Sequence, residues 1–357
     1  MNYEDFMKIC INLAKQATGN VSPNPLVGCV VLNKDNRIIS EGFHEKYGGN
    51  HAERNALLKL SEDDAHGGTL VVNLEPCCHT GKTPPCTDLI INKGVKKVVI
   101  GMRDVNPIVS GKGVKKLKDF GIEVVEGILE EECRKLNEIF IKNMTEHKTF
   151  VAIKTASTLD GKIATSSGSS KWITSDKARD EAKGLRNKYD AILTSASTVI
   201  ADNPKMIHKN KIILDRNLKT DFQNSRIYDD GNIYVFYDKN INKEHLQSIL
   251  SLTNSKDNIN LFPIGVDADK INLELLLDKI YELGIMSIFV EAGGHLCGSF
   301  LKYADRIYQF IAPKILGDNL GLSCFDFRSV NSVNEALNFK FDEIIKFEKD
   351  ILITYTK

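Results

Sequence analysis

Residues 75–86 read EPCCHTGKTPPC, and they hold three of the chain's eight cysteines. Two of the three touch, and the loop around them is built from Gly, Lys, Thr and Pro. The opening stretch MNYEDFMKICINLAKQA is amphipathic, without the basic and then apolar pattern of a secretory leader, so a cytoplasmic protein is expected. In a reducing compartment clustered cysteines are metal ligands or catalytic groups more often than disulfide partners. Cys10, Cys29, Cys133, Cys297 and Cys324 sit singly among apolar neighbours and read as small core residues. Cys77, Cys78 and Cys86 do not fit that description.

A metal site needs further ligands, and GGNHAERNALLKL, residues 48–60, supplies one. Its Gly-Gly-Asn turn runs into Ala and Leu at helical spacing, which places His51 and Glu53 in the first turn of a helix. One His and two Cys leave the fourth position of a tetrahedral zinc open for water, the mark of a catalytic site. Glu53 stands two residues from the histidine, where a general acid/base belongs. The pattern resembles the zinc deaminase signature H-x-E followed by P-C-x-x-C, with eight residues in place of two between Cys77 and Cys86. A closed structural site that recruits Cys78 or His79 is the competing reading, and it leaves Glu53 without a task.

The stretches NPLVGCVV, HAERNALL, LEPCCHTGKTPPC and MRDVNP resemble the deaminase half of the bifunctional riboflavin biosynthesis family. That resemblance implies a cytidine-deaminase-like three-layer domain with His51, Cys77 and Cys86 on zinc and Glu53 as the proton carrier. It makes the loop between the two cysteines a substrate-binding insertion, and Asn24, His44 and His79 candidates for holding the ring or its phosphate. Cys78 stands where the family usually has serine and is read as a tolerated neighbour.

Composition fits an enzyme of two domains. The 357 residues exceed one compact core. Lys plus Arg equals Asp plus Glu at 47 each, which argues against a nucleic-acid or membrane-surface binder. The basic run KGVKKLK, 112–118, reads as a solvated helix face, and no apolar run reaches the length of a membrane span. Strand and helix patterns alternate through the first part, which implies an α/β layered domain. A helix over 130–146 is expected to close it. A new series begins at TFVAIKTAST, so the boundary is placed at 147, with domains 1–147 and 148–357. Residues 239–260 are expected to form helix plus loop.

In the second domain SIFVEAGGHLCGS, 287–299, runs from a buried strand into a glycine turn. It is not GxGxxG, but such a turn lets backbone approach a pyrophosphate. TASTLDGKIAT, SSKWITS and TVIADNP resemble the reductase half of the same family. The resemblance implies a dihydrofolate-reductase-like fold that uses NADPH. By motif position Ala156, Trp172, Thr198, Asp202 and Gly293, Gly294, His295, Leu296, Cys297, Gly298 and Ser299 face the coenzyme. Ser170, Arg186, Met206 and Glu291 face the substrate, and Lys154 and Asp160 lie near it. The segment ADNPKMIHKNKIILD departs from the family's usual DNPxLT and following Arg, which leaves Lys209 or Lys211 to meet a phosphate as a point charge.

The function implied is two successive steps: zinc-dependent hydrolysis of the C2 amino group of 2,5-diamino-6-ribosylamino-4-pyrimidinone 5′-phosphate, then NADPH reduction of ribosyl to ribityl. The expected partners are that small phosphorylated pyrimidine and further copies of the chain as a homo-oligomer, with no nucleic acid and no membrane. Two rivals remain at this level, a deaminase with an inactive second half and a zinc-stabilised binding module.

Overall fold

The computed structural model describes residues 1–61, 63–79, 84–254, 256–326 and 328–357. The chain divides into two compact units, Met1–His147 and Lys148–Lys357. Among the described residues no helix is long and apolar enough to cross a membrane. All eight cysteines are free.

The first unit is one five-stranded sheet with helices on it. In chain order it comprises α1 (Tyr3–Lys15), β1 (Gly28–Leu32), β2 (Ile38–Phe43), α2 (Ala52–Leu57), β3 (Thr69–Leu74), α3 (Cys86–Asn92), β4 (Lys97–Met102), α4 (Lys112–Asp119), β5 (Glu123–Glu126), α5 (Glu130–Leu136) and α6 (Glu138–Glu146). The strand order is β2-β1-β3-β4-β5, with β1 antiparallel to both neighbours and β3, β4 and β5 parallel. GCVVL and TLVVNL are buried along their whole length because helices cover both faces of the central strands. The layers are α1 with α5 on one side and α2, α3 and α4 on the other. Asn2 starts α1 with a capping box shared with Asp5.

The helix expected over 130–146 is broken. α5 ends at Leu136 and α6 starts at Glu138, with Asn137 between them at φ −107° and ψ 20°. The Asn137 side chain brackets Leu26: its Oδ1 accepts from Leu26 N at 2.8 Å, and its Nδ2 donates to Leu26 O at 3.0 Å.

The second unit carries a nine-stranded sheet. Its elements are β6 (Phe150–Thr158), β7 (Lys162–Ala164), α7 (Asp176–Arg186), β8 (Ala191–Ser195), α8 (Ala196–Asp202), β9 (Asn210–Leu214), β10 (Asn232–Asp238), α9 (Lys243–Thr253), β11 (Ile259–Ile264), β12 (Val266–Asp267), β13 (Lys270–Ile271), α10 (Leu273–Glu282), β14 (Ser287–Val290), α11 (Gly294–Phe300), β15 (Arg306–Ala312), β16 (Leu322–Ser323), β17 (Lys340–Phe347) and β18 (Asp350–Thr356). The order is β11-β10-β9-β8-β14-β6-β15-β18-β17, parallel except for the last two pairings. Val290 lies opposite Leu193, and Ser195 opposite Leu214, so β14, β8 and β9 end at one edge of the sheet. Open parallel sheets bind ligands at that edge.

Candidate active sites

Three donors converge in the first unit. His51 is the N-cap of α2, and its side chain makes no capping bond there. Nδ1 lies 3.5 Å from Cys77 Sγ and 3.5 Å from Cys86 Sγ, and all three donor atoms fall within 4.8 Å of one another. Cys77 follows β3, and Cys86 opens α3, donating its backbone N–H to Cys77 Sγ at 3.4 Å. Zn–S near 2.3 Å and Zn–N near 2.0 Å at tetrahedral angles put N and S about 3.5 Å apart, so this donor set fits zinc. Cys78 stays out of the cluster and is half-buried; burial and the neighbouring Cys77 charge push its thiol up.

The electrostatics favour one thiolate. The Cys86 thiol donates to Cys77 and, with His51 and the Cys86 amide, pulls Cys77 below the usual thiol range, against burial. The same contact, followed by burial, pushes Cys86 up. Glu53, 3% exposed, has its carboxyl pushed up to about 7, first by burial and then by the charge of Cys77. A group that titrates near the working pH suits proton transfer in both directions.

His51, Cys77 and Glu53 line a cavity of about 290 Å³ together with Asn24, His44 and His79, while Cys86 is not on its wall. His44 is buried and donates Nδ1–H to Asn50 O at 2.9 Å, so Nε2 accepts from Asn24 Nδ2 at 3.1 Å. Burial holds its pKa down and keeps the ring neutral. The insertion between the cysteines falls largely on 80–83, outside the described residues. Residue reading missed Asp104, Asn106, Tyr47 and Phe140 on the cavity wall. The first two lie in MRDVNP, quoted above without assigning its members. Burial raises the Asp104 carboxyl to about 6.

In the second unit a cleft of about 1140 Å³ opens at the ends of β14, β8 and β9. Gly293, Gly294, His295, Leu296 and Ser299 line it, together with Ser195, Ala196 and Ser197, which the sequence reading missed. A Cβ on Gly293 meets nothing within 4 Å, and its φ of −65° suits any residue. The bare backbone there therefore serves the cleft, and the turn fits a pyrophosphate. Gly294 is glycine for packing, since a Cβ would stand 1.8 Å from Ser323 O.

Cys297 and Gly298 are buried in α11 and are not among the residues lining the cleft, and the Cys297 thiol donates to Ala292 O at 3.2 Å. Thr198 stands beside the cleft, its N–H on Ser195 Oγ at 3.3 Å. Ala156 lies on β6, exposed Trp172 stacks 4.2 Å from the Arg179 guanidinium, and Asp202 faces Lys171 at 4.0 Å; none of these lines the cleft.

Arg186, Glu291 and Lys154 are brought together from the end of α7, the end of β14 and β6. Arg186 Nη2 lies 2.7 Å from Glu291 Oε2, and Lys154 Nζ 3.6 Å from Oε1. Ser170 is half-buried, and Met206 has a φ of +45°. Of the two lysines left to meet a phosphate, Lys211 lies inside the fold. It is 1% exposed, with Nζ on Ile227 O at 2.8 Å and Asp230 Oδ1 at 2.6 Å, so it is a structural tie. Lys209 is the exposed lysine of the pair. Asp160 is likewise engaged, accepting from Thr158 Oγ1 and from the amides of Leu316 and Gly317.

Sheet, buried carboxylate and donor set make the first unit a zinc-type deaminase of small heterocycles, carried on one chain with a parallel-sheet unit built for a dinucleotide. Residues 1–102 match the cytidine and deoxycytidylate deaminase zinc-binding region, and residues 149–353 match the RibD C-terminal domain. The chain belongs to the RibD family of riboflavin biosynthesis proteins. It is 40% identical to riboflavin biosynthesis protein RibD of Actinobacillus pleuropneumoniae, over 98% of this chain and 94% of that protein. Its identity to RibD of Escherichia coli K12 is 34%, over 99% of both. A Thermotoga maritima crystal structure of a diaminohydroxyphosphoribosylaminopyrimidine deaminase/5-amino-6-(5-phosphoribosylamino)uracil reductase is 41% identical, with a TM-score of 0.86 over 99% of this chain and 98% of that one.

Proposed function

We propose that residues 1–147 deaminate 2,5-diamino-6-ribosylamino-4-pyrimidinone 5′-phosphate and that residues 148–357 reduce the product's ribosyl group to ribityl, two consecutive steps of riboflavin biosynthesis. The buried Glu53 beside the His51, Cys77 and Cys86 donor set carries the first assignment. Zinc, when bound to those donors, supplies a water made nucleophilic at neutral pH. Glu53 takes a proton at its carboxylate and returns it to the departing amine, and its burial keeps bulk water from competing. Neutral His44, fixed by Asn50, orients Asn24 on the cavity wall as a ring or phosphate contact.

In the second unit NADPH, when bound along the glycine turn, supplies a hydride. Lys154, Arg186 and Glu291 position the sugar, and Lys209 is the nearest candidate for its phosphate. The eight free cysteines agree with a cytoplasmic protein. The chain is read as a homo-oligomer.

Glu53→Gln tests the reading. The amide keeps the shape and moves no proton, so zinc content should persist while ammonia release falls by about 10²–10⁴-fold. NADPH absorbance loss with the deaminated substrate should be unchanged. Near wild-type ammonia release would remove Glu53 from the mechanism.

A further inference from the structure

The cleft of the second unit continues past Gly293 to a turn at the end of β9 that no coenzyme residue named above includes. The turn reads Asp215-Arg216-Asn217-Leu218-Lys219-Thr220, and Asp215, Arg216, Asn217 and Lys219 line the cleft. Asp215, 1% exposed, sets its shape. One carboxylate oxygen accepts from Lys219 N at 2.9 Å, and the other from Thr220 N and Thr220 Oγ1, each at 2.8 Å. With β8 between β14 and β9, two strand spacings, about 10 Å, separate this turn from the glycine turn.

On Rossmann-type parallel sheets, whose strand ends offer the nearest physical analogy, the pyrophosphate meets the glycine turn and the adenosine ribose meets a neighbouring strand end. A carboxylate there takes the 2′-hydroxyl of NADH, whereas an arginine accommodates a 2′-phosphate. Here the strand-end carboxylate of Asp215 touches the cleft but has both oxygens engaged by the turn itself, and the Arg216 guanidinium beside it faces the cleft. Arg216 Nη1 donates to Asp269 O at 2.5 Å and Asp269 Oδ1 at 2.9 Å, between β12 and β13. The Asp269 side chain is 94% exposed, so that pair is solvated and weak. A phosphate dianion is a stronger partner for the planar fork. The other charged groups of the cleft, Lys270 and Lys302 against Asp215, Asp267, Glu274 and Asp326, bring no excess of positive charge, so selection rests on the fork rather than on net charge.

We propose that Arg216, supported by Lys219, selects the 2′-phosphorylated coenzyme over NADH, and that Asp269 competes with this phosphate for Arg216. The proposal rests on the reading of the cleft as the NADPH site. Its test is calorimetric titration of the full-length chain with NADPH and with NADH. Arg216→Ala should weaken NADPH on the order of ten- to a hundredfold, the size of lost charged hydrogen bonds, and leave NADH unchanged. Asp269→Asn should tighten NADPH alone. An equal loss of both coenzymes in a folded Arg216→Ala, or no loss of NADPH, overturns the assignment while the cleft remains a coenzyme site. Wild-type protein that takes up neither dinucleotide overturns both readings. Should Arg216→Ala fail to fold, Asp269→Asn decides, and an unchanged preference for NADPH rejects the competition.

Discussion

Cys77 and Cys78 are neighbours in sequence with opposite environments. Cys77 receives hydrogen bonds from the thiol and amide of Cys86 and lies 3.5 Å from His51, while among the described residues Cys78 stands outside the group of donor atoms that lie within 4.8 Å of one another. A zinc ligand must bring its sulfur to bonding distance of the shared metal position. Cys78→Ser should therefore leave zinc content and ammonia release close to wild type, and Cys77→Ser should lose both. Elemental analysis of the purified variants checks this, and equal zinc loss in the two would mean that both sulfurs bind. At this scale the site was legible because H-x-E and Pro-Cys name residue types with few other uses in that order. Lys211 was not legible, because a lysine beside a strand reads as a surface charge. Burial of its stem with Asp230 as partner is a tertiary fact.

At the scale of elements, Glu75 ties the cavity wall to the backbone behind it. It lines the cavity beside Cys77, is 3% exposed, and accepts backbone N–H groups from Asp104, Gly111 and Val114, at 3.3, 3.0 and 3.1 Å. It pins the segment from β4 to the first turn of α4, which carries Asp104 and Asn106 to the cavity. Glu75→Ala strands three amides, each costing about 1–3 kcal/mol where water cannot replace the carboxylate. The expected result is a lower melting temperature, faster hydrogen exchange at Gly111 and Val114, and a deaminase KM raised more than kcat is lowered. Unchanged exchange at those two amides would show that the carboxylate does not hold the segment. Strands were legible where both faces are buried. β11 and β17 are hard to read for a shared reason: they are the two edges of the nine-stranded sheet. β11 carries Pro263, which edges tolerate. In β17 a bulge between Phe341 and Glu343 breaks the alternation, and most of its residues are exposed, so no period of two survives.

At the scale of the molecule, each unit has its own sheet, its own core and its own cavity, so each chemistry should survive loss of the other. The two glycines at 293 and 294 allow a sharp test. Valine at 293 meets no protein atom where its Cβ would stand and adopts the observed φ without strain, so the fold should tolerate it. Its branches then project into the cleft where backbone is expected to meet the coenzyme pyrophosphate. Gly293→Val should keep the wild-type melting temperature and ammonia release while NADPH binding and oxidation fall together. Gly294→Val is the contrast. Its Cβ would stand 1.8 Å from the Ser323 carbonyl, so α11 must shift and stability should drop along with reduction. Wild-type NADPH affinity in Gly293→Val would mean that the coenzyme backbone lies elsewhere in the cleft, and a parallel loss of ammonia release would mean that the two units do not act independently.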